Sequence, residues 1–377
     1  MSERMNPVQE LKQDYPWVEH PLVVGAPMRL ISLAEMAVDV SKAHGIGFIG
    51  TGTDISTLPQ NLSHAQELLE QCNPPLSTSS STLPIGIGFI NWGCPLEPSL
   101  SLIAQYRPCA VWFFAPSSPS SLEAWVHGTR TASPATKIWI QVGSVREAVD
   151  ATTRTQPDVL VVQGTADSGG HGLVRGASLI TLAPEVCAAL DAIPSRRPVV
   201  LAAGGLTTAR SAAASFLLGA SGVVLGTRLL ATPQACIHPG YKASLLSATD
   251  GGQTTVRTKL YDFLRGTTGW PDTHNARAIT NQSFVDATKG MSDVRNKELY
   301  EQVLARVEAE QQQQDQGQKE DEAWGEKGRL TMYAGTGIGL ITEIKDAGDV
   351  VREIRDGVRE ILQGAALLVD TAEKRKL

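Results

Sequence analysis

Eight short apolar segments recur along the first 230 residues, and they constrain the fold more than any other feature of the chain. Each segment is rich in Val, Ile, Ala or Phe, and stretches with helical spacing, bounded by Gly, Pro or Ser, separate them. This alternation predicts a parallel sheet whose strands are covered by helices on both faces. Eight such runs are what a closed α/β barrel of the (β/α)8, or TIM, type requires. The predicted strands are residues 21–28, 46–52, 83–90, 109–115, 137–143, 158–164, 198–205 and 222–229.

The rhythm changes after residue 230, so we divide the chain into three parts. Residues 1–230 are expected to form the barrel. Residues 231–331 are polar and end in a Gln- and Glu-rich run, which predicts an insertion outside the barrel, partly helical and partly disordered. Residues 332–377 are expected to return to the barrel as a mostly helical appendage. The apolar stripe of its last helix consists of Val350, Val351, Ile354, Val358, Ile361, Leu362, Ala365 and Leu368.

Charge and cysteine content exclude several classes of function. The net charge is -6 and no basic cluster dominates, which argues against nucleic acid or an anionic membrane as a partner. No apolar run reaches the 18 or so residues of a membrane span. The five cysteines are scattered without metal-ligand spacing, so we expect a reducing compartment and no metal. A cytoplasmic location is expected, and the ending Arg375-Lys376-Leu377 leaves peroxisomal import open.

Glycines end the last two predicted strands, where barrels commonly hold phosphate groups. Gly204 and Gly205 close the seventh strand, and Gly226 and Thr227 close the eighth. Missing side chains let backbone N–H groups approach a phosphate. Glycines also permit tight turns between strands and helices, and the sequence leaves both interpretations open.

The end of the sixth strand carries the densest signal, VVQGTADSGGHG at residues 161–172. Its one imidazole, His171, can act as a base or a hydrogen-bond donor near neutral pH. Most lone histidines are structural, but the glycines on both sides leave little for this ring to pack against. We interpret the remaining histidines as surface or loop residues: His20, His44, His64, His127, His238 and His274.

Five motifs in register resemble the nitronate monooxygenase family, formerly called 2-nitropropane dioxygenases. They are GAPM at 25–28, GFIGTG at 47–52, QGTADSGGHG at 163–172, LAAGGL at 201–206 and VLGTR at 224–228. The resemblance implies an FMN-dependent (β/α)8 barrel that oxidises alkyl nitronates, or nitroalkanes, with dioxygen. The Asp167-Ser168 pair departs mildly from the family pattern, and residues 111–116 and the insertion match nothing in it.

The resemblance also implies roles for particular residues. His171 would be the catalytic base or would orient the substrate. Tyr333, in the returning segment, would either cover the flavin or be purely structural. The residues implied to bind FMN are Ala26, Pro27, Met28, Asn91, Gln163, Gly169, Gly170, Gly204, Gly205, Gly226 and Thr227.

Two other functions share the predicted fold and cofactor. One is an FMN-dependent enoyl or quinone reductase that uses NAD(P)H, since barrel flavoenzymes can bind nicotinamide without a Rossmann motif. The other is a barrel that binds FMN without catalysis, because a fold alone does not fix a function. The physiological substrate, a homodimeric state and the role of the insertion stay open at this stage.

Overall fold

The computed structural model describes residues 6–76, 78, 82–194, 196–312 and 323–373. Eight of its strands form a closed parallel barrel, in which the first and last strands pair through Leu22–Gly25 and Gly222–Leu225. The (β/α)8 prediction and all eight predicted strands are therefore confirmed. In chain order the strands are β1 (Leu22–Gly25), β2 (Ile46–Gly52), β3 (Leu83–Ile90), β4 (Pro108–Phe114), β5 (Lys137–Val142), β6 (Val159–Gln163), β7 (Gly170–Leu173), β8 (Val199–Ala203), β9 (Gly222–Leu225), β10 (Thr255–Thr258) and β11 (His274–Ile279).

Helices follow the barrel strands, and several of them begin with side-chain caps. Ser144 caps one helix by accepting the Glu147 N–H, and Thr208 forms a reciprocal capping box with Ser211. The helices are α1 (Pro7–Asp14), α2 (Ala34–Lys42), α3 (Leu58–Glu70), α4 (Leu96–Tyr106), α5 (Pro119–Ala132), α6 (Val145–Thr155), α7 (Leu179–Asp191), α8 (Ala209–Leu217), α9 (Thr227–Leu230), α10 (Pro239–Ser247), α11 (Gly251–Thr254), α12 (Leu260–Leu264), α13 (Gln282–Thr288), α14 (Asp293–Gln312) and α15 (Ala347–Glu373), with a 3-10 turn at Thr336–Leu340. No helix among these described residues is long and apolar enough to cross a membrane.

Large side chains fill the inside of the barrel. Phe48, Trp112 and Trp139 contact one another there, and Tyr15 from the N-terminal segment joins them. The Trp139 Nε1–H donates a hydrogen bond to the Tyr15 hydroxyl at 2.7 Å, which satisfies a buried polar group. A second and larger cluster packs the strands against the outer helices. The barrel interior is therefore a packed core, as in other barrels of this type.

Helix α15 returns to the barrel as the sequence predicts. The first part of its stripe is fully buried, at Val350, Val351, Ile354 and Val358, and the helix packs on α2 and α8. The predicted stripe is too long, however, because Ile361 and Ala365 are exposed beyond the edge of the barrel. The side chain of Leu368 lies outside the described residues.

The polar segment 231–331 contains the predicted helices and also two strands that its sequence did not predict. β10 and β11 pair with each other and with β7, giving an antiparallel sheet in the order β10-β11-β7. We call these three strands the insertion sheet. In its register Ala276 lies opposite His171, so part of the insertion is joined to the glycine-rich loop after β6. The disorder predicted for the Gln- and Glu-rich run falls largely on residues 313–322, which lie outside the described residues.

Candidate active site

A cavity of about 660 Å³ lies at the C-terminal end of the barrel strands. The loops after β1, β6, β8 and β9, the insertion and the returning segment all contribute to its wall. All of the predicted site residues except Asn91 line it. They are Ala26, Pro27, Met28, Gln163, Gly169, Gly170, His171, Gly204, Gly205, Gly226 and Thr227. A volume of this size is typical of sites for cofactors and drug-sized ligands.

Asn91 is placed differently from its prediction. Its side chain is buried (3% exposed) and does not line the cavity. Its Oδ1 accepts a hydrogen bond from the Phe114 N–H at 2.8 Å, which joins the ends of β3 and β4. Because Phe114 itself lines the cavity, Asn91 supports the wall from behind.

The loops after β8 and β9 combine strained backbone with unpaired donors. Gly204 and Gly205 have φ angles of +105° and +73°, and a Cβ at Gly204 would lie 2.6 Å from the Gly164 carbonyl oxygen. Glycine is therefore required there for the turn itself. Within the described part of the chain, the N–H groups of Gly205, Gly226 and Thr227 also have no hydrogen-bond acceptor. The structure is thus compatible with both interpretations of these glycines, tight turns and phosphate binding, because the turns leave N–H donors available to an anion.

Two buried hydroxyls at the same end of the cavity also lack partners. Ser168 and Thr207 are each 4% exposed and line the cavity, and their Oγ atoms make no hydrogen bond to any described residue. Buried hydroxyls are normally satisfied. These orphaned atoms, together with the free N–H groups, fit a ligand that presents several acceptor oxygens, such as a phosphate ester.

The loop that follows β1 forms the neighbouring part of the wall, because β1 pairs with β9 and Ala26 donates its N–H to the Leu225 carbonyl. Ile31 and Ser32 donate their N–H groups to the Met28 carbonyl, and the Ser32 hydroxyl accepts the Met28 N–H at 2.7 Å. Ser32 therefore holds this loop, and α2 begins without a side-chain cap. These hydrogen bonds fix Met28 in the wall, next to Ala26 and Pro27, which also line the cavity.

His171 stands in the cavity wall, held by residues that lie far away in the sequence. Its Nε2 lies 2.7 Å from Asp262 Oδ1 in α12. Trp270 stacks on the imidazole, with ring centroids 3.7 Å apart and planes at 9°, and Tyr333 meets it edge-on at 5.5 Å. Burial lowers the pKa of His171 below its usual value, although the hydrogen bond to Asp262 acts in the opposite direction. The imidazole is therefore neutral near pH 7.

Arg257, on β10, fixes the loop that carries His171. Its guanidinium donates to the carbonyl oxygens of Thr165 and Ser168 at 3.0 and 3.2 Å, and to the Asn275 side chain and carbonyl. It forms no ion pair with any described carboxylate. Its fork-shaped set of donors instead fixes the carbonyl groups of one loop in place.

His274 corrects the prediction that the other histidines are surface or loop residues. It lies on β11, is 8% exposed and packs against Trp270 and Phe114. Burial, with the neighbouring His171 and Arg257, lowers its pKa to about 4. His274 is thus a neutral side chain packed against Trp270 and Phe114, which line the cavity.

Sequence reasoning missed several residues of the site. Trp112 and Gln141 line the cavity and share a 3.0 Å hydrogen bond between Nε1 and Oε1. Their positions near the C-terminal ends of β4 and β5 could have identified them. Asp262 and Trp270 have no such signal, because only the pairing of β7 with β11 brings their segment to His171.

The returning segment covers the glycine-loop end of the cavity. The Gly335 N–H donates to Thr227 Oγ1 at 3.0 Å, and the Thr336 N–H donates to the Asp167 carbonyl at 2.9 Å. Tyr333 lines the cavity between His171 and the Arg265 guanidinium, which lies 5.4 Å from the Tyr333 ring centroid. Burial raises the pKa of the Tyr333 phenol, so the hydroxyl stays protonated at neutral pH.

Comparison with known proteins identifies the family. The family model described as nitronate monooxygenase matches residues 100–357. A nitronate monooxygenase of Metarhizium robertsii is 42% identical over 357 residues, covering 94% of this chain and 95% of that protein. A nitronate monooxygenase of Neurospora crassa is 32% identical over 373 residues, covering 93% and 92%.

Solved structures agree on the fold. A nitroalkane oxidase from Streptomyces ansochromogenes has a TM-score of 0.66 at 19% identity, covering 94% of this chain and 99% of its own. FabK from Thermotoga maritima has the same TM-score at 22% identity, covering 94% and 97%. At these identities the likeness shows the fold alone. The matches in sequence, which span most of this chain, show that it belongs to the nitronate monooxygenase family.

Proposed function

We propose that this protein binds FMN at the barrel mouth and oxidises alkyl nitronates, or the nitroalkanes from which they form, with dioxygen. One observation carries the proposal: His171 lies in the wall of a cavity whose far end holds unpaired backbone donors. Membership of the family supports the same reaction.

The residues of the cavity fit the proposed cofactor. The N–H groups of Gly205, Gly226 and Thr227, with the hydroxyls of Ser168 and Thr207, would hold the phosphate. Ala26, Pro27 and Met28 would lie along the flavin ring, and Gln163, Gly169, Gly170 and Gly204 would complete its surroundings. When bound, FMN takes electrons from the substrate and passes them to dioxygen.

His171 has two tasks in this proposal, one for each form of the substrate. For a neutral nitroalkane, the unprotonated imidazole removes the α-proton, which needs a base that is neutral at the working pH. For a nitronate, which has already lost that proton, no base is needed, and His171 contributes only to the wall that positions the anion. Trp112, Phe114 and Trp270 line the surrounding wall and exclude water from the reacting carbon.

Anaerobic stopped-flow spectra of the purified holoenzyme test the function. The protein is mixed separately with propyl-2-nitronate, with 3-nitropropionate at alkaline pH, and with NADPH. We expect the flavin absorbance to fall with the nitronate and not with NADPH. Reduction by NADPH alone would assign the protein to the enoyl or quinone reductases instead.

Two further outcomes would contradict the proposal in different ways. FMN that none of the three compounds reduces would indicate a barrel that binds flavin without catalysis. A colourless preparation that takes up no added FMN would overturn the cofactor and the site with it.

A cytoplasmic location and homodimer formation are part of the same proposal. All five cysteines are free thiols, which fits a reducing compartment. Fractionation of cells and sedimentation of the purified protein would test the two expectations.

A further inference from the structure

We infer that Asp262 is a positioning residue for His171: it holds the Nε2–H of the imidazole and so makes Nδ1 the basic atom of the site. The inference rests on the proposed function, in which His171 is the base. It assigns a task in the active site to the insertion, because α12 carries Asp262.

The geometry defines which nitrogen carries the proton. Asp262 Oδ1 lies 2.7 Å from His171 Nε2, and the two side chains are 6% and 14% exposed. An ionised carboxylate only accepts hydrogen bonds, so the nitrogen that faces it must be the donor. In a neutral imidazole the other nitrogen then carries the lone pair.

His171 Nδ1 is free to act as that base. No described residue hydrogen-bonds to it, and it is not among the buried polar atoms that lack a partner, so it is open to the cavity that His171 lines. Trp270 stacks on the imidazole and fixes its plane, while Asp262 fixes the edge that is turned away from the reacting centre. Stacking and hydrogen bond together leave one orientation of the ring.

Asp262 is the carboxylate that faces His171, and it has few other partners. Its Oδ1 also accepts from the Thr267 hydroxyl at 3.3 Å, while its Oδ2 is buried without a partner among the described residues. A carboxylate buried with so few donors interacts strongly with the one imidazole beside it. The other titratable groups near His171 are Arg257, Arg265, His274 and Tyr333.

The balance of charge gives the sign of the effect. Arg257 and Arg265 lower the pKa of His171, and Asp262 raises it. Asp262→Asn removes the negative charge and leaves the two guanidinium groups, so the pKa of His171 falls further. The variant also offers an NH2 group to Nε2, which favours the tautomer with the proton on Nδ1 and reduces the fraction of usable base.

Two measurements on the holoenzyme test the inference. Long-range 1H–15N NMR of histidine-labelled protein reports the tautomer and pKa of His171, and we expect Nε2–H in the parent protein. In Asp262→Asn we expect a lower pKa and more Nδ1–H. For a neutral nitroalkane, the acidic limb of kcat/KM should move to lower pH and its plateau should fall about 100-fold, with a much smaller loss for the nitronate.

Asp272→Asn is the matched control. Asp272 lies on the same segment but is exposed and pairs with Lys259. The Asp272→Asn substitution therefore removes an equal charge without contacting His171. It should leave the tautomer and the acidic limb unchanged.

Three results would overturn the inference. One is an Nδ1–H tautomer of His171 in the parent protein. Another is an equal pH profile of kcat/KM for Asp262→Asn and Asp272→Asn. The third is a loss of kcat/KM for the nitronate as large as the loss of about 100-fold for the nitroalkane. Measurement of the parent tautomer needs neither a folded variant nor turnover. If the protein oxidises no nitronate, the proposed function is refuted. The tautomer measured in the parent protein then still decides whether Asp262 holds the Nε2–H of His171.

Discussion

The two ends of the cavity are built in different ways. At one end, the loops after β8 and β9 present backbone N–H groups, and the positive φ angles of Gly204 and Gly205 shape the loop after β8. At the other end, the insertion sheet brings in side chains from about 90 residues away to hold His171, with Asp262 as the example. A site built from backbone has a local sequence signal, whereas a site built from paired side chains has none. Substitutions at both ends test this contrast, beginning with His171 at the end that the insertion holds.

His171→Asn should have the largest effect. Removal of the base is expected to lower kcat/KM for a neutral nitroalkane by about 10²- to 10⁴-fold, because general base catalysis is usually worth that much. FMN should stay bound, since the glycine loops are untouched. Steady-state kinetics and the flavin spectrum of the same preparation check both statements, and undiminished turnover of nitroalkane would remove His171 from the catalytic role.

Arg257→Leu tests the insertion sheet as a structural support. The substitution leaves the carbonyl groups of Thr165 and Ser168 without donors, and we expect it to lower the free energy of unfolding by about 2 to 3 kcal/mol. Urea unfolding followed by circular dichroism measures the change. Lys259→Leu is the control, because its ion pair with Asp272 is exposed and contributes little to stability. Equal losses for the two variants would contradict the role of Arg257.

Gly226→Ala tests the glycine loops. A Cβ there would approach only Ala26, at 4.0 Å, and the φ angle of -111° is not left-handed, although the ψ angle of -81° falls below the usual α range, so the protein should fold with at most a small loss of stability. The methyl group should nevertheless obstruct a phosphate that lies against the backbone. We expect FMN to bind about tenfold more weakly, which corresponds to about 1.4 kcal/mol.

Fluorescence titration of the apoprotein with FMN measures that affinity. Gly364→Ala, at an open position on α15, provides the matched control and should leave the affinity unchanged. An unchanged affinity in Gly226→Ala would place the phosphate elsewhere.

The change of kcat/KM with pH in the parent enzyme should be the smallest of these effects near neutral pH. Because burial lowers the pKa of His171, its basic form predominates at pH 7 and is lost as the pH falls through that lowered value. The kcat/KM for a neutral nitroalkane should therefore be flat above neutrality and decline below pH 6.5. A nitronate needs no base, so its profile should lack this limb, and an acidic limb above pH 7 would contradict the lowered pKa.

Individual residues show how much of the fold and of the site could be predicted from the sequence. The eight strands were predictable because parallel strands buried on both faces are apolar along their whole length. The glycine loops and His171 were predictable because barrels place reactive groups at the C-terminal ends of strands. Asn91 follows the same positional rule, but its Oδ1 accepts a hydrogen bond from the Phe114 N–H, a contact between the ends of β3 and β4 that the sequence does not encode.

The sequence by itself therefore determined the barrel, the end of it that carries the cavity and part of the lining of that cavity, among it His171 and the glycines of the loops after β6, β8 and β9, because each depends on local hydrophobic periodicity or on glycine-rich motifs. Only the tertiary structure decided that β7 pairs with β11, that Asp262 and Trp270 reach His171, and that His274 is buried. The strands of the insertion sheet are short and rich in Gly, His, Asn and Arg, so their sequences lack the alternation that marks a strand. The pairing of β7 with β11 joins segments about 100 residues apart, which no local pattern records.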